Sequence, residues 1–217
     1  MQGKRFDIFF FDLDGTLVDS SLGITNSVIY ALKKFGIEET DRRKLYSFIG
    51  PPLTVSFEKF CGFTKEECAK AVEYYREYYR GGGIIENRVY DGLEDVLKEL
   101  KRRGKRLAVA TSKPEPFARQ IVEHFHLAQY FDYVAGMELD GRRGTKEEVI
   151  RYALDACKIT DKSKVLMVGD REHDVLGAKG AGIECLGILY GFGSREELKE
   201  AGADYIAETV EGILEFA

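Results

Sequence analysis

Apolar runs of strand length recur along the chain at Phe6–Phe11, Leu107–Ala110, Tyr133–Ala135, Val165–Val168, Cys185–Leu189 and, more weakly, Tyr205–Ala207. Most are continuous rather than alternating, the pattern of strands covered on both faces in a parallel sheet. Between them lie stretches of helical period at Leu93–Lys101, Pro116–Phe125, Lys146–Cys157, Val175–Ala181 and Glu196–Ala201. Thr145, with Glu148 three residues on, reads as a capping box opening one of these helices. Strand–helix alternation of this kind predicts an α/β fold, a doubly wound, Rossmann-like parallel sheet.

Residues 17–86 break the alternation. They carry helical periodicity only, at Leu22–Phe35, Asp41–Phe48, Leu53–Phe60 and Thr64–Arg80, and no strand is predicted between the first one and Leu107. The chain therefore reads as a catalytic core of residues 1–16 and 87–217 with an all-helical cap domain, 17–86, inserted into it. Glycines 81–83 mark the way out of the insertion and serve as its predicted hinge. In "YYREYYR" (74–80), Tyr74 with Tyr78 and Tyr75 with Tyr79 are spaced to pack the bundle.

Composition narrows the function classes. The 217 residues are 44% hydrophobic and 32% charged, as in an ordinary globular protein. A net charge of −5 argues against a nucleic-acid or anionic-membrane partner. The basic run "KELKRRGKR" (98–106) reads as a helix end, its cations at the negative pole and Gly104 as the stop. The four cysteines form no CxxC pair and there are three histidines, so a zinc site is not expected and free thiols are. No apolar run approaches the ~20 residues of a membrane span. The expectation is a cytoplasmic protein, monomer or homodimer, with a small-molecule partner.

The candidate chemistry starts at "FFFDLDGTL" (9–17), where a greasy strand ends on Asp12 and Asp14. Burying unpartnered carboxylates costs several kcal/mol, about as much as a folded domain has to spare. In open parallel sheets, ligands bind beyond the carboxyl ends of the strands. The predicted strand ends bring there Asp12, Asp14, Gly15 and Thr16, then Thr111, Ser112 and Lys113, then Asp170 and Asp174; Lys146 opens a nearby helix. An ionised carboxylate attacks phosphorus without a general base, giving an aspartyl-phosphate. Asp14, two residues on, is placed to protonate a leaving alkoxide and later to deprotonate water. Gly15 admits the backbone to the phosphoryl group, while Thr111 and Lys146 bind its oxygens. An oxygen-only acid cluster suits Mg2+.

"DLDGT", Thr111, Lys146 and "GDREHD" (169–174), in that order and spacing, resemble the haloacid dehalogenase-like hydrolases over the whole chain. The resemblance implies Asp12 as nucleophile and Asp14 as acid and base. It implies Thr111 and Lys146 on phosphate, and Mg2+ on Asp12, the Asp14 carbonyl and Asp170, with Asp174 in or just behind that shell. The 17–86 insertion resembles the helical cap of the phosphoglycolate phosphatase and β-phosphoglucomutase branch. Relatives that cleave carbon–halogen bonds lack the second aspartate, and those that cleave phosphonates carry alanine there; Asp14 speaks against both. A phosphomutase would keep every motif and differ in the cap. A receiver-type signalling domain shares the chemistry but is half as long, capless and without "DGT". A catalytically silent binding protein would have lost at least one of these groups.

Selectivity falls to the cap, whose predicted reader is the turn "FIGPPL" (48–53), with Gly50 and Pro51 at its tip. Tyr46, Phe48 and Phe57 nearby offer aromatic faces to a nucleotide, and Arg42, Arg43 and Lys113 offer cations to a carboxylate. "FIGPPLTVSF", "TSKPEPFARQIVEHF" and "VGDREHDVLGAKGAGI" resemble a bacterial group of phosphoglycolate phosphatases and 5′-nucleotidases. That resemblance implies a Mg2+-dependent phosphomonoesterase, and the aromatic residues near the turn put a 5′-nucleotidase first and a phosphoglycolate phosphatase as the alternative.

Overall fold

The computed structural model describes residues 5–140 and 142–217. In chain order, strand β1 (Ile8–Phe11) and the short β2 (Val18–Asp19) precede helix α1 (Ser21–Lys34), a 3-10 helix at Arg42–Phe48, α2 (Leu53–Cys61) and α3 (Lys65–Gly81). There follow β3 (Arg88–Val89), α4 (Leu93–Arg102), β4 (Arg106–Pro114), α5 (Glu115–His124), β5 (Tyr133–Met137) and α6 (Lys146–Ala156). The chain ends through β6 (Val165–Gly169), α7 (Glu172–Ala181), β7 (Glu184–Ile188), α8 (Arg195–Ala201), β8 (Tyr205–Ala207) and a 3-10 helix at Glu211–Phe216.

Six strands form one all-parallel sheet in the order β5-β4-β1-β6-β7-β8. Phe10, Ala108, Ala110 and Met167 join the buried faces of α6, α7 and α8 in one cluster. Phe9, Phe11, Leu107 and Val109, of opposite parity, are equally buried, so helices or loops cover both faces and the continuous apolar runs are explained. The strand order reverses beside β1, which pairs with β4 on one side and β6 on the other. That switch point is where a doubly wound sheet opens a crevice for ligands.

The chain divides into two compact units: residues up to Val18 together with Val89–Ala217, and the helical unit Asp19–Arg88. In the helical unit α1 and α2 pack on α3. Thr64 and Glu67 form a reciprocal capping box on α3, and Tyr75 stacks on the buried Tyr79 at 5.5 Å. Two expectations need correction. β2 and β3 pair with each other, although no strand was expected there; two residues are too few to carry a periodic pattern. Glycines 81–83 are not where the chain leaves the unit. Gly81 is still in α3, and Gly83 is buried against Ser27 and Tyr78, so close that a Cβ on Gly23 would lie 2.1 Å from its carbonyl oxygen. Among the described residues, no helix is long and apolar enough to cross a membrane.

Candidate active site

Four acids gather at the switch point. Asp12 continues β1, its N–H donating to the Val168 carbonyl of β6 at 2.9 Å, and Asp170 follows β6 directly. Asp174 lies on the first turn of α7, where its Oδ2 accepts the Arg171 N–H at 3.1 Å and satisfies a helix-end donor. Carboxylate oxygens of Asp12, Asp170 and Asp174 lie within 4.8 Å of one another, and all three residues are buried. Asp14 stands on the tight turn after Asp12, which Gly15 permits with φ +86°.

Two buried lysines answer this charge. Lys146 Nζ lies 2.8 Å from Asp12 Oδ1 and 2.7 Å from Asp174 Oδ1, and donates to the Ala110 carbonyl at 3.2 Å. Burial alone would pull its ammonium down, but Asp12 and Asp174 outweigh that and hold it above the ordinary lysine value. The Thr145–Glu148 capping box is formed and fixes the start of α6, and with it the stem of Lys146. Lys113 Nζ lies 2.8 Å from Asp14 Oδ2. Asp170 is held differently: the Phe192 N–H donates to Oδ2 at 2.8 Å and the Thr16 hydroxyl to Oδ1 at 3.3 Å. Burial pushes its carboxyl well above the usual range, and the neighbouring Asp174 and Asp12 add to this. Burial likewise pushes Asp174 up to about 6, with Lys146 opposing.

Lys146, expected on phosphate, has its Nζ 2.8 Å from Asp12 Oδ1 and 2.7 Å from Asp174 Oδ1, and donates to the Ala110 carbonyl. Thr16 was expected at the substrate; it is fully buried with its hydroxyl turned to Asp170. Gly15 is needed for packing before any ligand is considered, because a Cβ there would lie 2.2 Å from Asp170 Oδ2. The Thr111 hydroxyl accepts the Lys113 N–H at 3.2 Å, and Ser112 is half-buried beside it. Gly50, exposed at φ +103°, and Pro51 belong to the helical unit. In that unit Phe48 and Phe57 are buried edge to face at 5.1 Å, which removes them as open aromatic faces; Tyr46 remains exposed. Arg42 donates to the Thr25 hydroxyl.

The loop after β7, "YGFGS" (190–194), was not singled out from sequence. Its Phe192 N–H holds Asp170, and its Tyr190 hydroxyl donates to the Thr16 carbonyl at 3.0 Å. A Cβ on Gly191 would lie 2.4 Å from the Gly15 carbonyl oxygen, and one on Gly193 would lie 1.8 Å from the Asp170 carbonyl oxygen. The signal available was two glycines one residue apart at a strand's carboxyl end, on the rim already known to carry the acids.

Ionised, the four acids exceed the two lysines by two charges, the deficit one divalent cation closes. The donors are oxygens only, with no cysteine or histidine in the cluster, which fits a hard cation such as Mg2+. A carboxylate beside an ammonium and a cation site can attack an electrophilic phosphorus, and a second carboxylate two residues away can handle the proton.

Comparisons with known proteins agree with this chemistry. The family model described as "Haloacid dehalogenase-like hydrolase" matches residues 9–188. A 5′-nucleotidase of Pseudomonas aeruginosa is 48% identical over 195 residues, 90% of this chain and 88% of that protein. The tyrosine-protein kinase PtkA of Mycobacterium tuberculosis is 38% identical over 95% of this chain and 67% of its own length. The crystal structure of a predicted phosphatase from Clostridium acetobutylicum superposes with a TM-score of 0.92 at 49% identity, covering 97% of both chains. The chain belongs to the haloacid dehalogenase-like hydrolases, in their helical-cap phosphatase branch, as an enzyme with aspartate-based phosphatase or phosphotransferase chemistry.

Proposed function

We propose that the protein is a Mg2+-dependent phosphomonoesterase acting through an aspartyl-phosphate, with nucleoside 5′-monophosphates as its substrates. The observation that carries the chemistry is the buried constellation of Asp12, Lys146, Asp174 and Asp170 at the sheet's switch point. Asp12 is the nucleophile, oriented by Lys146, whose Nζ lies 2.8 Å from its Oδ1. As its oxygen bonds to phosphorus and the ester P–O bond breaks, Asp14 gives a proton to the leaving alkoxide; it later takes one from the water that hydrolyses the acyl-phosphate. The Thr111 hydroxyl, which accepts from Lys113, keeps its own proton to donate to a phosphoryl oxygen. Mg2+ would be held by Asp12, the Asp14 carbonyl and Asp170, with Asp174 beside them, and when bound would neutralise the excess acid charge and the phosphoryl oxygens.

The substrate rests on different support. With Phe48 and Phe57 in the interior of the helical unit, the aromatic argument for nucleotides narrows to Tyr46. The likeness to a 5′-nucleotidase over 90% of the chain now supports the nucleotide reading more than any side chain does. Phosphoglycolate phosphatases are less similar, at 29% and 27% identity. The test is kcat/KM with Mg2+ for a panel of nucleoside 5′-monophosphates and phosphoglycolate. A preference for phosphoglycolate of tenfold or more, about 1.4 kcal/mol, overturns the order. A tyrosyl acceptor included in the panel tests transfer to something other than water.

A further inference from the structure

The sequence assigns Lys113 to the substrate, and the structure places it on an irregularity of β4 beside Asp14. β4 and β5 run in register at Thr111 and Gly136 and resume at Pro114 and Met137, so Ser112 and Lys113 are extra residues bulged out of the ladder. The bulge is held from two sides. The Lys113 N–H donates to the Thr111 hydroxyl at 3.2 Å, and the Lys113 carbonyl comes so near β5 that a Cβ on Gly136 would lie 2.6 Å from its oxygen. From this fixed backbone the side chain, 6% exposed, brings Nζ to 2.8 Å from Asp14 Oδ2. The other Asp14 oxygen, Oδ1, is buried and accepts no hydrogen bond among the described residues.

We propose that Lys113 is a positioning residue for Asp14. It ties down Oδ2 and so leaves Oδ1 as the oxygen that carries the proton. This rests on the reading of Asp14 as the acid. When the ester P–O bond breaks and the Asp12–phosphorus bond forms, the proton on Asp14 Oδ1 passes to the leaving oxygen. Asp14 becomes a carboxylate already paired with an ammonium, and a buried charge-assisted bond of this kind is stronger than a neutral one.

Leaving groups separate this role from substrate binding. An alkyl phosphate, such as a nucleoside 5′-monophosphate, needs the proton; a dinitrophenyl phosphate does not, because dinitrophenoxide departs unaided. The quantity to read is kcat/KM, which reports the steps up to release of the leaving group. Lys113→Met is expected to lose about 10- to 100-fold for the alkyl ester, the scale of general acid catalysis, and to stay within about twofold for the dinitrophenyl ester. Lys113→Arg, which keeps a cation in reach, is expected to regain part of the loss. An equal fall for both esters assigns Lys113 to the phosphate and overturns the proposal. Asp14→Asn is run beside it. If that variant shows no leaving-group selectivity, the reading of Asp14 fails and the proposal with it. If it is selective while Lys113→Met is not, the positioning role alone fails. Should Lys113→Met lack a cooperative melting transition, Lys113→Gln carries the same comparison.

Discussion

Lys146→Met removes the one ammonium that bridges Asp12 and Asp174 while keeping most of the stem. The stem matters, since α7 approaches so closely that a Cβ on Gly177 would lie 2.6 Å from Lys146 Cγ. Exposure of the three side chains is 4% for Lys146, 11% for Asp12 and 1% for Asp174, so water cannot replace the lost partner. Breaking a buried pair by deleting one member costs about 3–5 kcal/mol, because it leaves an uncompensated charge. In a chain of this size each kcal/mol moves the melting temperature by about 2–4 °C, so at neutral pH the expected fall is roughly 6–20 °C.

The sign with pH follows from linkage. Asp174 is already raised by burial, and without the lysine it loses the cation that opposes the rise. The penalty is therefore full at high pH and shrinks as pH falls and that acid takes up its proton. Differential scanning calorimetry from about pH 5 to pH 8, without metal, should show the gap between wild type and variant widening as pH rises. Asp174→Asn added to Lys146→Met should recover part of the loss, since one of the stranded charges is gone. A difference below about 1 kcal/mol throughout that range would mean the lysine is solvated like a surface residue, and the charge argument for the site would fail.

Three further outcomes are expected. Asp12→Asn should abolish turnover with the melting transition preserved; residual activity within about tenfold of wild type would mean the nucleophile is another group. Mg2+ should raise the melting temperature, and more so near pH 7 than near pH 5, because the burial-raised Asp170 and Asp174 carboxyls hold protons that compete with the cation as pH falls; an equal shift at both pH values would place the metal elsewhere. Gly193→Ala should destabilise by about 1–3 kcal/mol, since its Cβ would overlap the Asp170 carbonyl, and should weaken the Mg2+-induced shift; an unchanged shift would dismiss the 190–194 loop as a support for Asp170.

Much of the fold could be read because its strands announce themselves. Covered on both faces, Phe9–Phe11 and Val165–Val168 have nothing to alternate with, and the helices between them keep their period. The acids were legible for a related reason: a charged residue at the end of a buried strand conflicts with its surroundings, and conflict is visible in a sequence. Partners were less so. Lys146 and Lys113 stood out as cations near the rim, but a sequence does not say that one spends its donors on Asp12 and Asp174 and the other on Asp14. Phe48 and Phe57 look identical whether they face a ligand or each other. The 190–194 loop was invisible because its contribution is steric: Gly191 and Gly193 act by what they lack, and Phe192 acts through its backbone.

The four acids are compensated unequally, and the inequality indicates where a cation gains most. Asp12 and Asp174 share Lys146, Asp174 adds a helix-end N–H, and Asp14 has Lys113. Asp170 differs: its bonds come from the Phe192 N–H and the Thr16 hydroxyl rather than from a lysine or arginine. Two neutral donors orient a carboxylate but do not cancel its charge, and the neighbouring Arg171 offsets only part of the rise that burial, Asp174 and Asp12 impose on Asp170. Proton and divalent cation thus compete most directly at Asp170. The fold spends a whole loop on aiming that one side chain, through Phe192, Gly193 and the Tyr190 hydroxyl. An acid that only needed hiding could have taken its proton without such a frame; a frame of this kind fits a carboxylate whose oxygens, with those of Asp12 and Asp174, could hold a divalent cation.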